Sequence, residues 1–379
     1  MFSFILILLS IIFAILISEF TARLLFYKAD YLEPYFIADS KLGFVIKPYS
    51  AGHDKWGFRN RVFPDHVDIV ALGDSMTYGH RALSSDSWPS LLELKTNKKV
   101  YNMGVGAYGP VQYYYLLKEK AIKLKPKIII VGLYLGNDLF DTYNIIYNLQ
   151  YWRNFREYNL NCNSKQNNYD QFGLIVDINR ENKMFLSIRN YFAHNSLLYR
   201  IILNSFLGEV LRWNEAIIRG RYNYKIFNLK YKAHNINTSF MLKENHHSLE
   251  INRKEIKEGL VKTLLLFDMM HQLCKINNIK FVVVVIPTKE TVYSKYIDLR
   301  FEKYDLLKKY IDCELKVNNE ITNHFKYNDI NCIEILPSLQ NKIGGQMIYT
   351  SGIDGHPNKY GNGFIAQAIA EYLKIRNLL

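Results

Sequence analysis

The chain has 379 residues, of which 49% are hydrophobic, enough for one large domain or two ordinary ones with a substantial core. Its formal net charge of +13 makes an anionic membrane or an acidic polymer a candidate partner. Lys and Arg are spread along the chain without forming one block, and no nucleic-acid reader motif is present, which argues against a nucleic-acid-binding protein.

The amino terminus is an uninterrupted apolar segment. Residues 1–18 contain no charge, proline or glycine, and as a helix they would be about 27 Å long, close to the thickness of a bilayer's hydrocarbon core. No basic segment precedes them, and residues 19–23 do not form a small-x-small cleavage site. We therefore predict an uncleaved transmembrane anchor over residues 1–26. Arg23 and Lys28 follow the span, so a count of positive charges alone keeps the rest of the chain in the cytoplasm.

A short apolar run that ends in glycine and serine is the most informative stretch. Residues 67–72 carry Asp68 as their only charge and have the pattern of a buried strand in a parallel sheet. Gly73 permits a sharp turn, so Asp74 and Ser75 would follow the carboxyl end of the strand, where open α/β sheets bind ligands. In this position Ser75 is either a nucleophile or a simple helix cap.

Three further polar blocks are placed next to predicted elements. They are residues 102–109 (NMGVGAYG) after a strand predicted at 99–103, residues 136–138 (GND) after a strand at 127–135, and residues 354–358 (DGHPN) before a helix at 359–375. Parallel strands end at one edge of the sheet, so the blocks that follow strands are expected to lie at the same edge as Ser75.

The remaining pattern alternates strands with helices. Strands are predicted at 279–286 and 331–336, and helices at 88–94, 110–125, 252–277 and 304–325. This order predicts an α/β domain at 61–139 and 251–379, with about five parallel strands between two layers of helices. Residues 27–60 are predicted as a connector.

Residues 140–250 interrupt this alternation. They are rich in Tyr, Asn, Arg and Lys and are too long for a bare loop, so we predict an inserted, largely helical cap with an amphipathic helix at 196–218. The cap could shape an acceptor groove, face the membrane or only stabilise the domain. The sequence does not choose among these.

Taken together, the four blocks resemble those of the SGNH/GDSL hydrolase family, named for a Ser, a Gly, an Asn and a His. The resemblance runs from about residue 56 to the end of the chain, apart from the insertion. It implies a flavodoxin-like three-layer α/β sandwich and ester chemistry without a cofactor. Since anchored members of the family usually face outward, it also implies a domain outside the cytoplasm, against the charge count.

The resemblance assigns catalytic roles to three side chains. Ser75 would be the nucleophile and His356 its general base, because a neutral hydroxyl needs a base within hydrogen-bond reach to attack an ester. Asp354 would orient the imidazole. Many family members space these two residues by three positions, whereas the spacing of two found here resembles alginate-type O-acetylation proteins.

The family also implies donors for the negative oxygen of a tetrahedral intermediate. These carry over to the backbone N–H of Ser75, the turn at Gly106 and Ala107, and the side-chain amide of Asn137. Ala107 stands where glycine is common, and a backbone donor tolerates alanine there if its φ is negative.

Three charged residues and the cysteines complete the list of candidates. Asp74 and Asp138 flank the proposed nucleophile and amide, and a structural capping role is favoured over substrate binding. Lys289 follows a predicted strand in a segment that also resembles acetylation-linked proteins; it is interpreted as a solvated lysine or an anion-binding residue. The four cysteines show no paired or metal-ligand spacing, so no metal site is predicted.

We therefore expect a single-pass membrane esterase acting on O-acyl, chiefly O-acetyl, esters of a cell-envelope glycan or on a small ester. If a sugar hydroxyl accepts the acyl group, the protein is an O-acetyltransferase. A noncatalytic glycan-binding protein on the same fold is the alternative from another class. That alternative predicts a His356 that cannot approach Ser75.

Overall fold

The computed structural model describes residues 2–156, 183–205, 224–231, 236–243, 249–297, 304–343, 346–350 and 352–379. The chain divides into two compact units. So far as they are described, residues 1–38, 44–61 and 165–222 form the first unit, and residues 39–43, 62–164 and 223–379 form the second.

The strands of the described residues are, in chain order, β1 (Phe36–Asp39), β2 (Gly43–Ile46), β3 (Ile69–Leu72), β4 (Val100–Asn102), β5 (Ile128–Tyr134), β6 (Tyr224–Tyr231), β7 (Ile236–Lys243), β8 (Lys280–Ile286) and β9 (Asn331–Glu334). The helices are α1 (Phe2–Leu25), α2 (Ser75–Tyr78), α3 (Trp88–Thr96), α4 (Pro110–Leu116), α5 (Asp138–Asn148), α6 (Lys183–Asn195), α7 (Leu197–Asn204), α8 (Lys254–Ile276), α9 (Lys289–Val292), α10 (Asp305–Tyr327), α11 (Leu336–Lys342) and α12 (Lys359–Ile375).

The second unit is built on a five-stranded parallel sheet with the order β4-β3-β5-β8-β9. Every residue of β3 is buried, as expected for a strand covered on both faces. In the register of the sheet, Leu72 at the end of β3 pairs with Val131 of β5, and Ala71 pairs with Asn102 at the end of β4. The predicted α/β class with about five parallel strands is confirmed.

Helices flank this sheet in packed groups. Helix α3 packs against α12, and both α4 and α5 pack against α8. Most boundaries lie within a few residues of the predicted ones. The helix predicted at 110–125 is divided: α4 continues as a π-helical turn over Leu117–Ala121 and a 3-10 turn over Ile122–Leu124.

The insertion contains both helices and strands. The helix predicted at 196–218 begins at Leu197, because Ser196 is its N-cap, and the described part ends at Asn204. Residues 206–218 lie outside the described residues. The antiparallel hairpin β6–β7 was not predicted, although Ile236, Thr238 and Phe240 alternate as buried positions along β7.

The first unit contains the apolar amino-terminal helix. Among the described residues, one helix is long and apolar enough to cross a membrane. It is Ser3–Leu25, whose mean hydropathy is 2.6 and whose most apolar residues are not buried against the rest of the chain. Near its end, the Glu19 carboxylate accepts hydrogen bonds from the backbone N–H groups of Leu197 (3.1 Å) and Leu198 (2.9 Å). These bonds cap α7, so α1 and α7 are joined by a polar contact inside this unit.

Three cysteines fall within the described residues. Cys274, Cys313 and Cys332 are free thiols, and Cys274 is buried. Cys162 lies outside the described residues.

Candidate active site

The turn after β3 holds Ser75 in a fixed place at the carboxyl edge of the sheet. Asp74 is the N-cap of α2, and its Oδ1 accepts a hydrogen bond from the backbone N–H of Met76 at 2.8 Å. At Gly73 an added Cβ would lie 2.0 Å from Thr77 Oγ1 and 2.7 Å from Thr77 Cβ. Only glycine therefore lets the strand turn this tightly into the helix that begins with Ser75.

Ser75, His356 and Asp354 form one chain of hydrogen bonds. Ser75 Oγ lies 2.8 Å from His356 Nε2, and His356 Nδ1 lies 2.7 Å from Asp354 Oδ1. The carboxylate can only accept, so Nδ1 carries the proton and Nε2 is left to accept from the serine hydroxyl. The backbone N–H of His356 also donates to Asp354 Oδ1, at 2.9 Å. A spacing of two residues therefore suffices for the carboxylate to reach the imidazole.

A residue that the sequence analysis missed holds the far side of this carboxylate. Arg81 Nε donates to Asp354 Oδ2 at 2.7 Å. Burial alone would raise the pKa of Asp354, but the hydrogen bonds from His356 and the ion pair with Arg81 outweigh it and hold this pKa well below its usual range. Asp354 is thus an anion at neutral pH, with both oxygens engaged.

A second histidine lies beside the first. The ring centroids of His80 and His356 are 4.7 Å apart, and His80, Asp354 and His356 offer ligand atoms within 4.8 Å of one another. These three side chains could hold a metal ion. Both ring nitrogens of His356 already face Ser75 and Asp354, so a metal bound through His356 would compete with one of these contacts. The expectation of a site without metal stays a prediction.

The second block lies against the serine. A Cβ placed on Gly106 would be 3.8 Å from Ser75 Cβ. Within the described part of the chain, no hydrogen-bond partner is found for the backbone N–H of Ser75 or of Gly106. Ala107 has φ of +62°, so the condition of a negative φ is not met; this turn places a non-glycine residue in the left-handed region at a cost of about 1 kcal/mol.

Asn137 is held by a carboxyl group that the sequence analysis did not single out. Asn137 Nδ2 donates to Asp141 Oδ2 at 2.7 Å, which occupies one of its two N–H groups, while the buried Asn137 Oδ1 has no partner among the described residues. Burial and the nearby Asp74 raise the pKa of Asp141 to about 8. The second N–H of Asn137 remains available to a developing negative oxygen.

Asp74 and Asp138 are both fully buried and engaged by the chain itself. Asp138 accepts hydrogen bonds from the Tyr113 hydroxyl at 3.0 Å and from the backbone N–H of Tyr134 at 2.9 Å. Burial, with Asp74 as the nearest like charge, raises the pKa of Asp138 well above its usual range. Burial raises the pKa of Asp74 to about 6, opposed by the Met76 hydrogen bond. Asp74 thus caps α2, and Asp138 joins Tyr113 to the end of β5.

Lys289 is not the solvated residue that the sequence suggested. Its side chain is fully buried, and Nζ donates to the carbonyl oxygens of Gly352 and Asp354 at 2.7 and 3.0 Å. The interpretation as a solvated lysine is wrong, because the turn after β8 directs the side chain under the loop that carries His356.

Of the contacts that sequence reasoning missed, one has a local sequence signal and two have none. Asp141 lies four residues after Asn137 at the start of a helix, where such residues are neighbours, so this spacing could have indicated their contact. Arg81 and Lys289 meet the loop around Asp354 across long stretches of chain, and no local pattern indicates either contact.

Comparisons with known proteins find likeness only among solved structures. No family model matches the chain, and no curated protein matches it. Similar structures include a lipolytic protein of the G-D-S-L family from Desulfitobacterium hafniense (11% identity, 80% of this chain and 98% of that one, TM-score 0.39). Another is an acylhydrolase from Bacteroides fragilis (11% identity, 82% of this chain and 88% of that one, TM-score 0.39). A third is a variant of an acetylxylan esterase from Geobacillus stearothermophilus (9% identity, 80% of this chain and 93% of that one, TM-score 0.38). The five-stranded parallel sheet with flanking helices is the fold that the four sequence blocks implied.

Proposed function

We propose that the protein is a serine-dependent ester hydrolase that forms an acyl intermediate on Ser75. The observation that carries this proposal is the hydrogen-bond chain from Ser75 through His356 to Asp354, with distances of 2.8 and 2.7 Å. The noncatalytic alternative predicts a His356 that cannot approach Ser75, whereas the two side chains lie within hydrogen-bond distance, which supports the proposal. Three polar groups in this order are what an ester-attacking hydroxyl needs.

Each step of the reaction has a residue in place. Ser75 Oγ attacks the ester carbonyl carbon while its proton passes to His356 Nε2, and Asp354 stabilises the imidazolium. The carbonyl oxygen becomes negative and is met by the N–H groups of Ser75, Gly106 and Asn137. Collapse of the intermediate breaks the ester bond, and the leaving alkoxide takes the proton from His356.

The acyl group then leaves by the same route in reverse. A water molecule gives its proton to His356 Nε2 and attacks the acyl carbon, and collapse of the second intermediate releases the acid and restores the Ser75 hydroxyl. If a sugar hydroxyl attacks in place of water, the product is a new ester. The spacing of two between Asp354 and His356, which resembles O-acetylation proteins, favours keeping this transferase as the second candidate.

We further propose an O-acylated, chiefly O-acetylated, cell-envelope glycan as substrate and a membrane anchor in α1. The anchor proposal is supported by the length and apolar composition of Ser3–Leu25. The net charge of +13 suits work near anionic lipid or glycan. We place the domain outside the cytoplasm, where such a glycan is found.

The test uses the full chain in detergent with a chromogenic acetyl ester. Wild-type protein should release the chromophore and retain an acetyl group on the peptide that contains Ser75, as seen by mass spectrometry after acid quenching. Ser75→Ala should lose both signals, whereas Ser205→Ala, a change at an exposed serine in the first unit, should keep them. Turnover that survives Ser75→Ala rejects the mechanism, and product esters that appear only with added oligosaccharide select the transferase.

A further inference from the structure

We infer that Lys289 is a positioning residue that fixes the main chain of the base loop, defined as the described residues 349–350 and 352–358, so that His356 stays aligned with Ser75. The inference rests on the proposed function for its effect on catalysis. Its structural basis is the pair of hydrogen bonds from Lys289 Nζ to the carbonyl oxygens of Gly352 (2.7 Å) and Asp354 (3.0 Å). One of these carbonyls belongs to the residue whose side chain orients the imidazole.

A buried ammonium is costly unless its donors are used, and two of the three N–H donors of Lys289 are used on the loop. The side chain is fully buried, and Nζ lies 5.7 Å from the centre of the Phe240 ring. Burial lowers the pKa of Lys289 to about 8, and the nearby charges of Glu290 and Asp354 oppose that shift. The Asp354 charge therefore helps to keep the Lys289 ammonium protonated while its N–H groups hold the backbone of the loop.

The backbone on both sides of Lys289 is itself held by hydrogen bonds. Thr288 is the N-cap of α9, and its backbone N–H donates to Glu314 Oε1 at 2.8 Å. The hydroxyls of Thr288 and Thr291 both donate to Glu314 Oε2, the second at 2.6 Å. Glu314 is buried in α10, so the backbone on either side of Lys289 is tied to the interior of the second unit. Because the backbone of Lys289 is fixed, its side chain can in turn hold the backbone of the base loop in place.

The unpredicted hairpin takes part in the same arrangement. Phe240 of β7 is fully buried over Lys289, and Thr238 Oγ1 donates to the carbonyl oxygen of Thr350 at 3.1 Å. Thr350 Oγ1 lies 3.5 Å from the carbonyl oxygen of Asp354. Part of the insertion therefore contacts the backbone of the base loop, whereas Arg81 contacts the loop through the Asp354 carboxylate.

The experiment compares Lys289→Met with wild type in the full chain. Methionine fills the space without donors, so the kcat for the acetyl ester should fall by about 10- to 100-fold while KM changes by less than about threefold. Labelling of Ser75 by a fluorophosphonate should slow in proportion. Lys295→Met, at an exposed lysine of the next turn, is the matched control and should behave as wild type.

A second measurement is independent of turnover. Backbone amides of residues 350–358 should exchange with deuterium faster in Lys289→Met than in wild type, with exchange in β3 unchanged. If Lys289→Met does not fold, Lys289→Gln, which keeps a neutral donor, replaces it and should show a smaller change of the same kind. Unchanged kcat, labelling and loop exchange in a folded variant overturn the inference. Wild-type protein without Ser75-dependent turnover overturns the proposed function instead, and loop exchange then still decides the role of Lys289.

Discussion

The nucleophile turn, residues 72–79, and the base loop are held in place by different means. Ser75 begins a helix directly after a strand, and the Gly79 N–H donates to the Ser75 carbonyl at 3.1 Å. Among its described residues, the base loop has one isolated bridge, Tyr349 with Pro357, and a backbone hydrogen bond from the Asn358 N–H to the Ile348 carbonyl; side chains from distant parts of the chain add further contacts. These distant side chains are Arg81, Thr238 and Lys289.

Because the two segments are held differently, substitutions in the nucleophile turn are expected to change the stability of the fold, and substitutions in the base loop to change the position of the imidazole. The nucleophile turn is part of the buried sheet, so a change there alters packing and lowers the free energy of unfolding. The base loop is fixed by a few polar contacts, so a change there displaces an imidazole while most of the core stays intact. Small displacements of a catalytic group reduce rate strongly. Measuring both kcat and stability in variants of the two segments distinguishes these consequences.

The largest effect is expected for His356→Ala. It removes the general base, so kcat should fall by about 10³-fold while the melting temperature changes little, since the side chain is only partly buried. His80→Ala is the matched control, because its ring lies 4.7 Å from that of His356 and should leave kcat within a few-fold. Equal losses in the two variants would mean that His80 shares the role of base.

Asn137→Ala should have the next largest effect. Loss of a side-chain donor to the negative oxygen is expected to lower kcat by about 10²-fold with little change in KM. Asn148→Ala, at the exposed end of the same helix, controls for substitution in α5. Retained kcat in Asn137→Ala would remove this amide from the proposed mechanism and leave the backbone N–H groups as the donors.

Gly73→Ala tests the nucleophile turn through stability. The added Cβ would meet Thr77 at 2.0 Å, so we expect a loss of about 1–3 kcal/mol in the free energy of unfolding, measured by urea denaturation. Gly363→Ala is the control, because nothing lies within 4 Å of its added Cβ in helix α12, where alanine should be neutral or stabilising. A tolerated Gly73→Ala would contradict the comparison between turn and loop.

Arg81→Gln tests the base loop through activity. The ion pair that holds Asp354 Oδ2 is lost, so kcat should fall by about tenfold with the melting temperature nearly unchanged, since Arg81 is largely exposed. The folded-state pKa of Asp354 is depressed, so its stabilising charge is present at neutral pH and lost as pH falls through that pKa. Removing Arg81 raises this pKa toward its usual value, while Arg153→Gln, at an exposed arginine, should leave kcat as in wild type.

The smallest effect concerns the buried carboxyl under Asn137. The folded-state pKa of Asp141 is raised to about 8, so its contribution to stability is full below the unfolded pKa of about 4 and is lost as pH rises through 8. Asp141→Asn stays neutral and should therefore be the more stable protein at pH 9, by at least about 1 kcal/mol, and comparable to wild type at pH 4. Denaturant titrations at the two pH values measure this; a difference of opposite sign would show that Asp141 is ionised at low pH.

Local patterns were sufficient for the parts of the site that follow strands. The run that became β3 is apolar because both faces of the sheet are covered, and glycine with a capping aspartate marks the turn that carries Ser75. The same reasoning placed the blocks containing Gly106 and Asn137. Local patterns did not indicate the left-handed conformation of Ala107, because a left-handed alanine depends on the contacts that outweigh its strain.

The sequence by itself determined the alternation of helices with the five parallel strands and the turn that presents Ser75, because periodicity and turn chemistry act between near neighbours in the chain. The family resemblance, and not a local pattern, assigned His356 and Asp354 as the partners of Ser75. Only the tertiary structure decided how the imidazole is held. Arg81 and Lys289 meet the base loop from 273 and 65 residues away, and nothing in a linear pattern records such contacts. The hairpin that braces the loop was likewise invisible, since its alternation has meaning only against the surface that buries it.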